Sequence, residues 1–132
     1  RARGQMVVVA RTDASDLDDI CRRVQAFAEL KPDVVLVDGL RDLEMIRQVA
    51  RLTNLPVAFN QIAGGKSPPA SLPELHERGV RLVIYSTPCL FASLTAMNSA
   101  LKHIAEHDGR LPPDSPSVGD VAGLLNQNLK ER

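Results

Sequence analysis

The chain has 132 residues, a length that suits one globular domain. Hydrophobic residues make up 44% and charged residues 24%, which excludes a disordered or fibrous chain. The 16 basic residues balance the 16 acidic residues, so no net cationic field attracts nucleic acid or an anionic membrane. The longest apolar run, Met6–Ala10, is far too short to span a membrane. Cys21 and Cys89 lack metal-ligand spacing, and so few cysteines favour a reducing, cytoplasmic setting.

Four short apolar runs predict the strands of a parallel sheet. They are continuous rather than alternating, as expected of strands that are buried on both faces. The runs are Met6–Ala10, Val34–Val37, Pro56–Phe59 and Arg81–Tyr85.

Helical spacing of apolar residues fills the gaps between these runs and continues beyond the last one. The predicted helices cover Leu17–Ala28, Leu43–Ala50, a short segment from Ser71 to Gly79, Leu90–Ile104 and Val118–Leu129. Ser71 and Glu74 have the spacing of a capping box, which predicts that the third helix begins at Ser71. A proline-rich linker, 111–116, precedes the last helix.

Strict alternation of strands and helices predicts an α/β fold with a parallel sheet. The strands begin about 25 residues apart, so eight such units need about 200 residues, the lower end of a (β/α)₈ barrel. Four units are half of a barrel, and an open doubly wound sheet is the alternative. Both architectures place their chemistry at the carboxyl ends of the strands, so candidate site residues are sought there.

Arg11, at the end of the first predicted strand, is the first candidate. Its guanidinium presents a rigid fork of donors that fits a carboxylate or phosphonate. The equally simple alternative is that Arg11 pairs with Asp13 and holds the loop in place.

Two further candidates follow the next strands. Asp38 can accept a hydrogen bond, orient a substrate or transfer a proton, or it can instead cap a helix from Arg41. Asn60 offers one acceptor and two donors to a hydroxyl or carboxylate. The Gly64-Gly65 segment after it allows close backbone approach, or it simply joins strand to helix.

Five segments resemble the isocitrate lyase/phosphoenolpyruvate mutase superfamily, in order and at matching separations. Val8–Ala14 contains the Ala-Arg-Thr-Asp-Ala strand of that superfamily, and Gly64–Pro68 resembles its Gly-Gly-Lys-Thr-Pro loop. The other matching segments are Val35–Gly39, Leu55–Asn60 and Leu75–Tyr85. The resemblance covers about residues 5–107.

The resemblance implies a (β/α)₈ barrel enzyme that acts on small 2-hydroxy or 2-oxo acids through an enolate held on Mg²⁺. Arg11 matches the arginine that grips the substrate carboxylate, and Asn60 matches an asparagine that contacts a substrate oxygen. Asp38 stands where lyases of the superfamily usually have Glu, and the resemblance gives it an orienting or proton-handling role. Ser86 stands where the superfamily often has Pro. Residues 1–109 are then the C-terminal half of the barrel, and residues 110–132 are a linker and a helix.

The Mg²⁺-binding acidic residues and the catalytic loop of that superfamily belong to the other half of the barrel. We therefore expect no metal ligand in this chain and no catalysis by the isolated 132 residues. The resemblance also implies a homo-oligomer in which a helix near 90–107 is exchanged between subunits.

Two alternatives to an enzyme remain open from the sequence. The chain could be a non-catalytic half-barrel that serves binding or assembly. A receiver-like signalling domain is also possible, because Lys31–Asp38 resembles a phosphoacceptor strand. However, the acidic pair after the first strand and the Lys-Pro after the last strand are missing.

Overall fold

A computed structural model describes residues 6–130 of the chain. The elements in order are β1 (Val9–Thr12), α1 (Leu17–Leu30), β2 (Val34–Val37), α2 (Leu43–Arg51), β3 (Val57–Gln61), α3 (Leu72–Glu77), β4 (Val80–Tyr85), α4 (Pro88–Glu106) and α5 (Val118–Lys130). The chain divides into two compact units, one through Pro88 and the other from Cys89 onward. The predicted alternation of strands and helices is confirmed.

The four strands are all parallel and lie in sequential order, β1-β2-β3-β4. Doubly wound sheets, including the order 2-1-3-4-5 of receiver-type folds, place the first strand inside the sheet. Here β1 lies at an edge, so the strand order is that of consecutive units of a barrel.

Helices α1, α2 and α3 all pack on one face of the sheet. Their buried side chains and those of the strands form one core, comprising Ile20, Val24, Val35, Val37, Leu40, Ile46, Val49, Val57, Phe59, Leu75 and Val80. The opposite face carries a smaller cluster of Val34, Leu36 and Ala58, with Ile84 packed against it. A sheet covered by its three helices on one side matches a barrel wall and not a doubly wound sheet.

The first strand lies later in the chain than predicted. Backbone groups of Val8 are hydrogen-bonded to Asp33: Val8 N donates to Asp33 Oδ2 at 2.7 Å, and Val8 O accepts from Asp33 N at 2.9 Å. Regular pairing begins at Val9 with Val34 and continues through Thr12. Arg11 therefore lies within β1 and not at its end, and Asn60 likewise lies within β3.

The helix starts follow the predicted capping chemistry with one correction. The Ser71 side chain accepts from Glu74 N while Glu74 accepts from Ser71 N, so the predicted capping box is confirmed. Helix α2 is capped by Asp42, whose side chain accepts from Met45 N at 2.8 Å. The alternative that Asp38 caps this helix is therefore wrong.

Pairing of β3 with β4 contains a register shift. Val57 pairs with Val80, but Ala58 pairs with Leu82, so Arg81 is an extra residue in β4. Because side chains alternate along a strand, this extra residue places Leu82 and Ile84 on the face that carries Ala58 and Asn60.

The second unit consists of α4, α5 and the segment between them. A Ser117–Asp120 pair caps α5: Ser117 Oγ accepts from Asp120 N at 3.2 Å, and Asp120 Oδ2 accepts from Ser117 N at 2.9 Å. Apolar side chains are exposed along both helices, namely Leu90, Phe91, Leu94, Met97, Leu101, Val118, Val121, Leu124, Leu125 and Leu129. No helix among residues 6–130 is long and apolar enough to cross a membrane. The domain boundary proposed after residue 109 stays a prediction.

Candidate active site

A chain of hydrogen bonds joins four polar side chains at the carboxyl end of the sheet, two of them in β1 and β3 and two just beyond β2 and β4. Arg11 Nη2 donates to Asp38 Oδ2 at 2.5 Å, and Asn60 Nδ2 donates to Asp38 Oδ1 at 3.2 Å. Ser86 Oγ, just beyond β4, donates to Asn60 Oδ1 at 2.6 Å. The three predicted site residues are therefore brought together, and a fourth residue joins them.

Arg11 makes the predicted pair with Asp13 and a further pair with Asp38. Its Nε and Nη2 donate to Asp13 Oδ1 at 3.0 and 2.9 Å, in addition to the bond with Asp38. The hydrogen bonds that Arg11 donates to Asp13 and the nearby charges of both carboxylates raise the pKa of Arg11. Its Nη1 makes no hydrogen bond to any residue of 6–130, so two N–H donors remain for a ligand.

Asp38 is held at both oxygens by different neighbours. One oxygen accepts from the guanidinium of Arg11 and the other from the amide of Asn60. The Asp38 side chain is 23% exposed, against 53% for Arg11, so the carboxylate is partly shielded from water. Such a carboxylate is fixed in place and can orient a ligand or exchange a proton with it.

Asn60 is buried, and its neighbours determine which way its amide points. The Asp38 carboxylate offers acceptors to Nδ2, and the Ser86 hydroxyl donates to Oδ1. The second hydrogen of Nδ2 is left for another acceptor. This asparagine can therefore donate a hydrogen bond to a ligand oxygen with little conformational freedom to lose.

These side chains line an open cavity of about 410 Å³. Its walls are Arg11, Asp13, Asp38, Gly39, Asn60, Ile62, Gly65, Lys66 and Ser67. Gly39 has φ +89°, and a Cβ there would lie 2.9 Å from Lys66 Cδ. The glycine therefore allows the Lys66 stem to cross over it, and the predicted Gly64–Pro68 loop forms one wall of the site.

The side chains of residues 6–130 do not form a magnesium site. Within residues 6–130, no group of three or more His, Cys, Asp or Glu side chains could hold a metal ion. Asp13 and Asp38, the acidic residues of the cavity, are both bound to Arg11.

Residues 1–105 match the family described as phosphoenolpyruvate phosphomutase. The chain belongs to this family. The predicted superfamily resemblance is thereby confirmed, and the receiver-like alternative is not supported. A 2-methylisocitrate lyase of Aeropyrum pernix is 32% identical over 108 residues, which are 80% of this chain and 35% of that relative. The chain thus spans about a third of the length of the curated relative.

Two solved structures share this fold. The crystal structure of 2,3-dimethylmalate lyase has 27% identity and a TM-score of 0.76, over 94% of this chain and 46% of that one. Phosphonopyruvate hydrolase, solved with oxalate and Mg²⁺, has 21% identity and a TM-score of 0.71, over 99% of this chain and 49% of that one. The predicted fold class, parallel βα units of half a phosphoenolpyruvate mutase-like barrel, is confirmed.

The sequence reasoning identified Arg11, Asp38 and Asn60 but missed the contributions of Ser86 and Lys66. Ser86 follows the fourth strand, but which side of the sheet it faces depends on the register shift at Arg81. Lys66 lies in the glycine loop, and its ammonium forms no ion pair with another residue of the described chain.

Proposed function

We propose that this chain supplies the substrate-carboxylate contacts of a lyase or mutase that acts on small 2-hydroxy or 2-oxo acids. The reaction would cleave a C–C or P–C bond next to a carboxylate through an enolate. The observation that carries the proposal is the hydrogen-bonded group of Arg11, Asp38 and Asn60 lining one cavity. Family membership supports the same reaction class.

Arg11 binds the substrate carboxylate in this proposal, and Asn60 donates to a substrate oxygen. The unpartnered Nη1 of Arg11 supports this role, because a guanidinium can keep its internal ion pairs and still donate to a ligand. The second Nδ2 hydrogen of Asn60 is equally available. A carboxylate that accepts from both residues would be held at one fixed end of the cavity.

Asp38 is the catalytic residue of the proposal, either exchanging a proton with the substrate or orienting it. Its place between the two proposed substrate contacts supports a position near the reacting atoms. It is a methylene shorter than the Glu that lyases of the superfamily usually carry, so its carboxylate stands closer to the sheet.

Magnesium, if the complete protein uses it, requires ligands from outside residues 6–130. Phosphonopyruvate hydrolase, which shares this fold, was solved with oxalate and Mg²⁺. We therefore expect the 132-residue chain by itself to be inactive. The cavity residues described above would bind and orient the substrate.

The decisive experiment measures release of pyruvate or glyoxylate from a panel of 2-hydroxy acids with Mg²⁺ present. It compares the complete gene product with residues 1–132 alone. Activity of the complete product that disappears with EDTA supports the proposal. Activity in the 132-residue chain alone would contradict the expectation that its metal ligands lie elsewhere, and no activity in the complete product would remove the enzyme assignment.

The alternative function is a non-catalytic half-barrel that serves assembly. Exposed apolar residues on the sheet face that carries no helices support it. Val9 is 44% and Leu82 is 43% exposed there, and within residues 6–130 the outer strands β1 and β4 each leave one edge unpaired. Such edges favour pairing with further strands. We propose for either function a homo-oligomer that exchanges α4 between subunits, supported by the exposed apolar residues of α4. We also propose a cytoplasmic location, supported by the free thiols of Cys21 and Cys89.

A further inference from the structure

We propose that Ser86 is a positioning residue that holds the Asn60 amide in its substrate-binding orientation. The proposal rests on the proposed function, because it concerns the same cavity. Ser86 Oγ lies 2.6 Å from Asn60 Oδ1, and Asn60 is a buried residue of β3. Ser86 does not line the cavity itself, so it acts through Asn60.

The direction of these hydrogen bonds follows from the chemistry of Asp38. An ionised carboxylate only accepts, so the group of Asn60 that faces Asp38 is the NH₂ group. Asn60 Oδ1 then faces Ser86, and the hydroxyl must donate to it. A reversed amide would place Oδ1 against a carboxylate oxygen, which is electrostatically unfavourable. Asp38 therefore selects the orientation of the amide, and the Ser86 hydroxyl, which donates to Oδ1, adds the hydrogen bond that holds the amide in it.

The extra residue in β4 is what brings Ser86 to Asn60. Asn60 pairs with Ile84, so Ser86, two residues farther along, faces the same side of the sheet. Without the irregularity at Arg81, Asn60 would pair with Val83 and Ser86 would face the helices. Bulges commonly re-aim a side chain next to a site, and this one completes the polar group across all four strands.

Thr87 provides a matched control next to Ser86. Its hydroxyl is buried and has no hydrogen-bond partner among the described residues. Thr87→Val removes a neighbouring hydroxyl with little change of shape and leaves the Asn60 contacts in place. Ser86→Ala removes the donor, and Ser86→Thr keeps it.

The test measures binding of oxalate, in the presence of Mg²⁺, to the complete gene product and its variants by calorimetry. We expect Ser86→Ala to weaken binding about threefold to tenfold, the effect of one hydrogen bond. Ser86→Thr should restore most of the affinity, and Thr87→Val should bind as the unchanged protein does. The urea midpoint of each variant is measured alongside. Binding by Ser86→Ala that equals the unchanged protein, or an equal loss in Thr87→Val, would overturn the proposal.

A second measurement does not depend on ligand. With ¹⁵N-labelled asparagine, the Asn60 side-chain NH₂ signals are assigned by their disappearance in Asn60→Gln. We expect Ser86→Ala to shift these signals and speed their exchange with water, while Thr87→Val leaves them unchanged. Signals that are unaffected by Ser86→Ala refute the positioning role. Failure of the unchanged protein to bind oxalate, with the expected NMR result, would instead count against the proposed function.

Discussion

Arg11 Nη2 and Asp38 Oδ2 lie 2.5 Å apart across the neighbouring strands β1 and β2. The two residues are 27 positions apart in the chain, and parallel pairing of Thr12 with Val37 brings them together at the carboxyl end of the sheet. The contact leaves Nη1 of Arg11 for a ligand, and the Asp38 carboxylate partly balances the charge of the guanidinium. Arg11 and Asp38 should therefore respond differently to substitution.

Replacing Arg11 tests the substrate contact. In the complete gene product, Arg11→Ala should lower kcat/KM about tenfold to a hundredfold, because a charge-assisted hydrogen bond to the substrate is lost. Arg11→Lys should recover only part of this, since a lysine cannot make the bidentate contact. Steady-state kinetics with the best 2-hydroxy acid provide the measurement. Unchanged kinetics in Arg11→Ala would refute the assignment.

Replacing Asp38 with asparagine separates proton handling from positioning. The new amide keeps the shape but has no ionisable group. We expect kcat to fall at least about tenfold, with a much smaller change in KM, because a general acid-base group contributes mainly to the chemical step. Equal changes in turnover and in binding would show that Asp38 only positions its neighbours.

Gly79 allows the segment just before β4 to pack closely against α2. Its φ is +97°, and a Cβ would lie 2.6 Å from Ala50 Cβ. Gly79→Ala therefore adds backbone strain and a clash, and should lower the free energy of unfolding by about 2–4 kcal/mol. Gly64→Ala is the control, since Gly64 has φ +71° but nothing within 4 Å of an added Cβ. Urea denaturation should show a smaller loss for the control, about 1 kcal/mol.

The capping box of α3 should make that helix sensitive to acid. The backbone and side-chain hydrogen bonds of Ser71 lower the pKa of Glu74 below its ordinary value. A lowered pKa in the folded state means that the stabilisation is present above the unfolded pKa and is lost as the pH falls through the folded pKa. Glu74→Gln keeps the hydrogen bonding but not the titration, so its urea midpoint should vary less between neutral and acidic pH. Equal acid sensitivity in both proteins would contradict this account.

Oligomeric state tests the exposed apolar side chains of α4. Sedimentation velocity of the complete gene product at micromolar concentration should show a dimer or larger species. Leu94→Glu and Met97→Glu place charges on α4 and should shift the species toward monomer, if α4 exchanges between subunits. A stable monomer of the unchanged protein would contradict the proposed assembly.

The sequence predicted the fold class because the underlying signals are local. Strand runs and helical spacing depend on neighbours within a few residues, and the Ser71–Glu74 capping box is readable from four positions. These signals located β1 to β4 and α1 to α5 with boundary errors of a few residues. The largest error, at β1, arose because the strand continues through the polar residues Arg11 and Thr12, beyond the apolar run that predicted it.

The composition of the site depended on tertiary structure. Parallel pairing between segments more than twenty residues apart decides which carboxylate Arg11 contacts. The same pairing decides whether Asp38 caps α2 or accepts from Asn60. Ser86 joins the group because one extra residue at Arg81 changes which side of the sheet it faces. A side-chain period of two makes a single-residue shift decisive for every later position in the strand. That shift is a property of the packed sheet, and no local pattern in the sequence determines it.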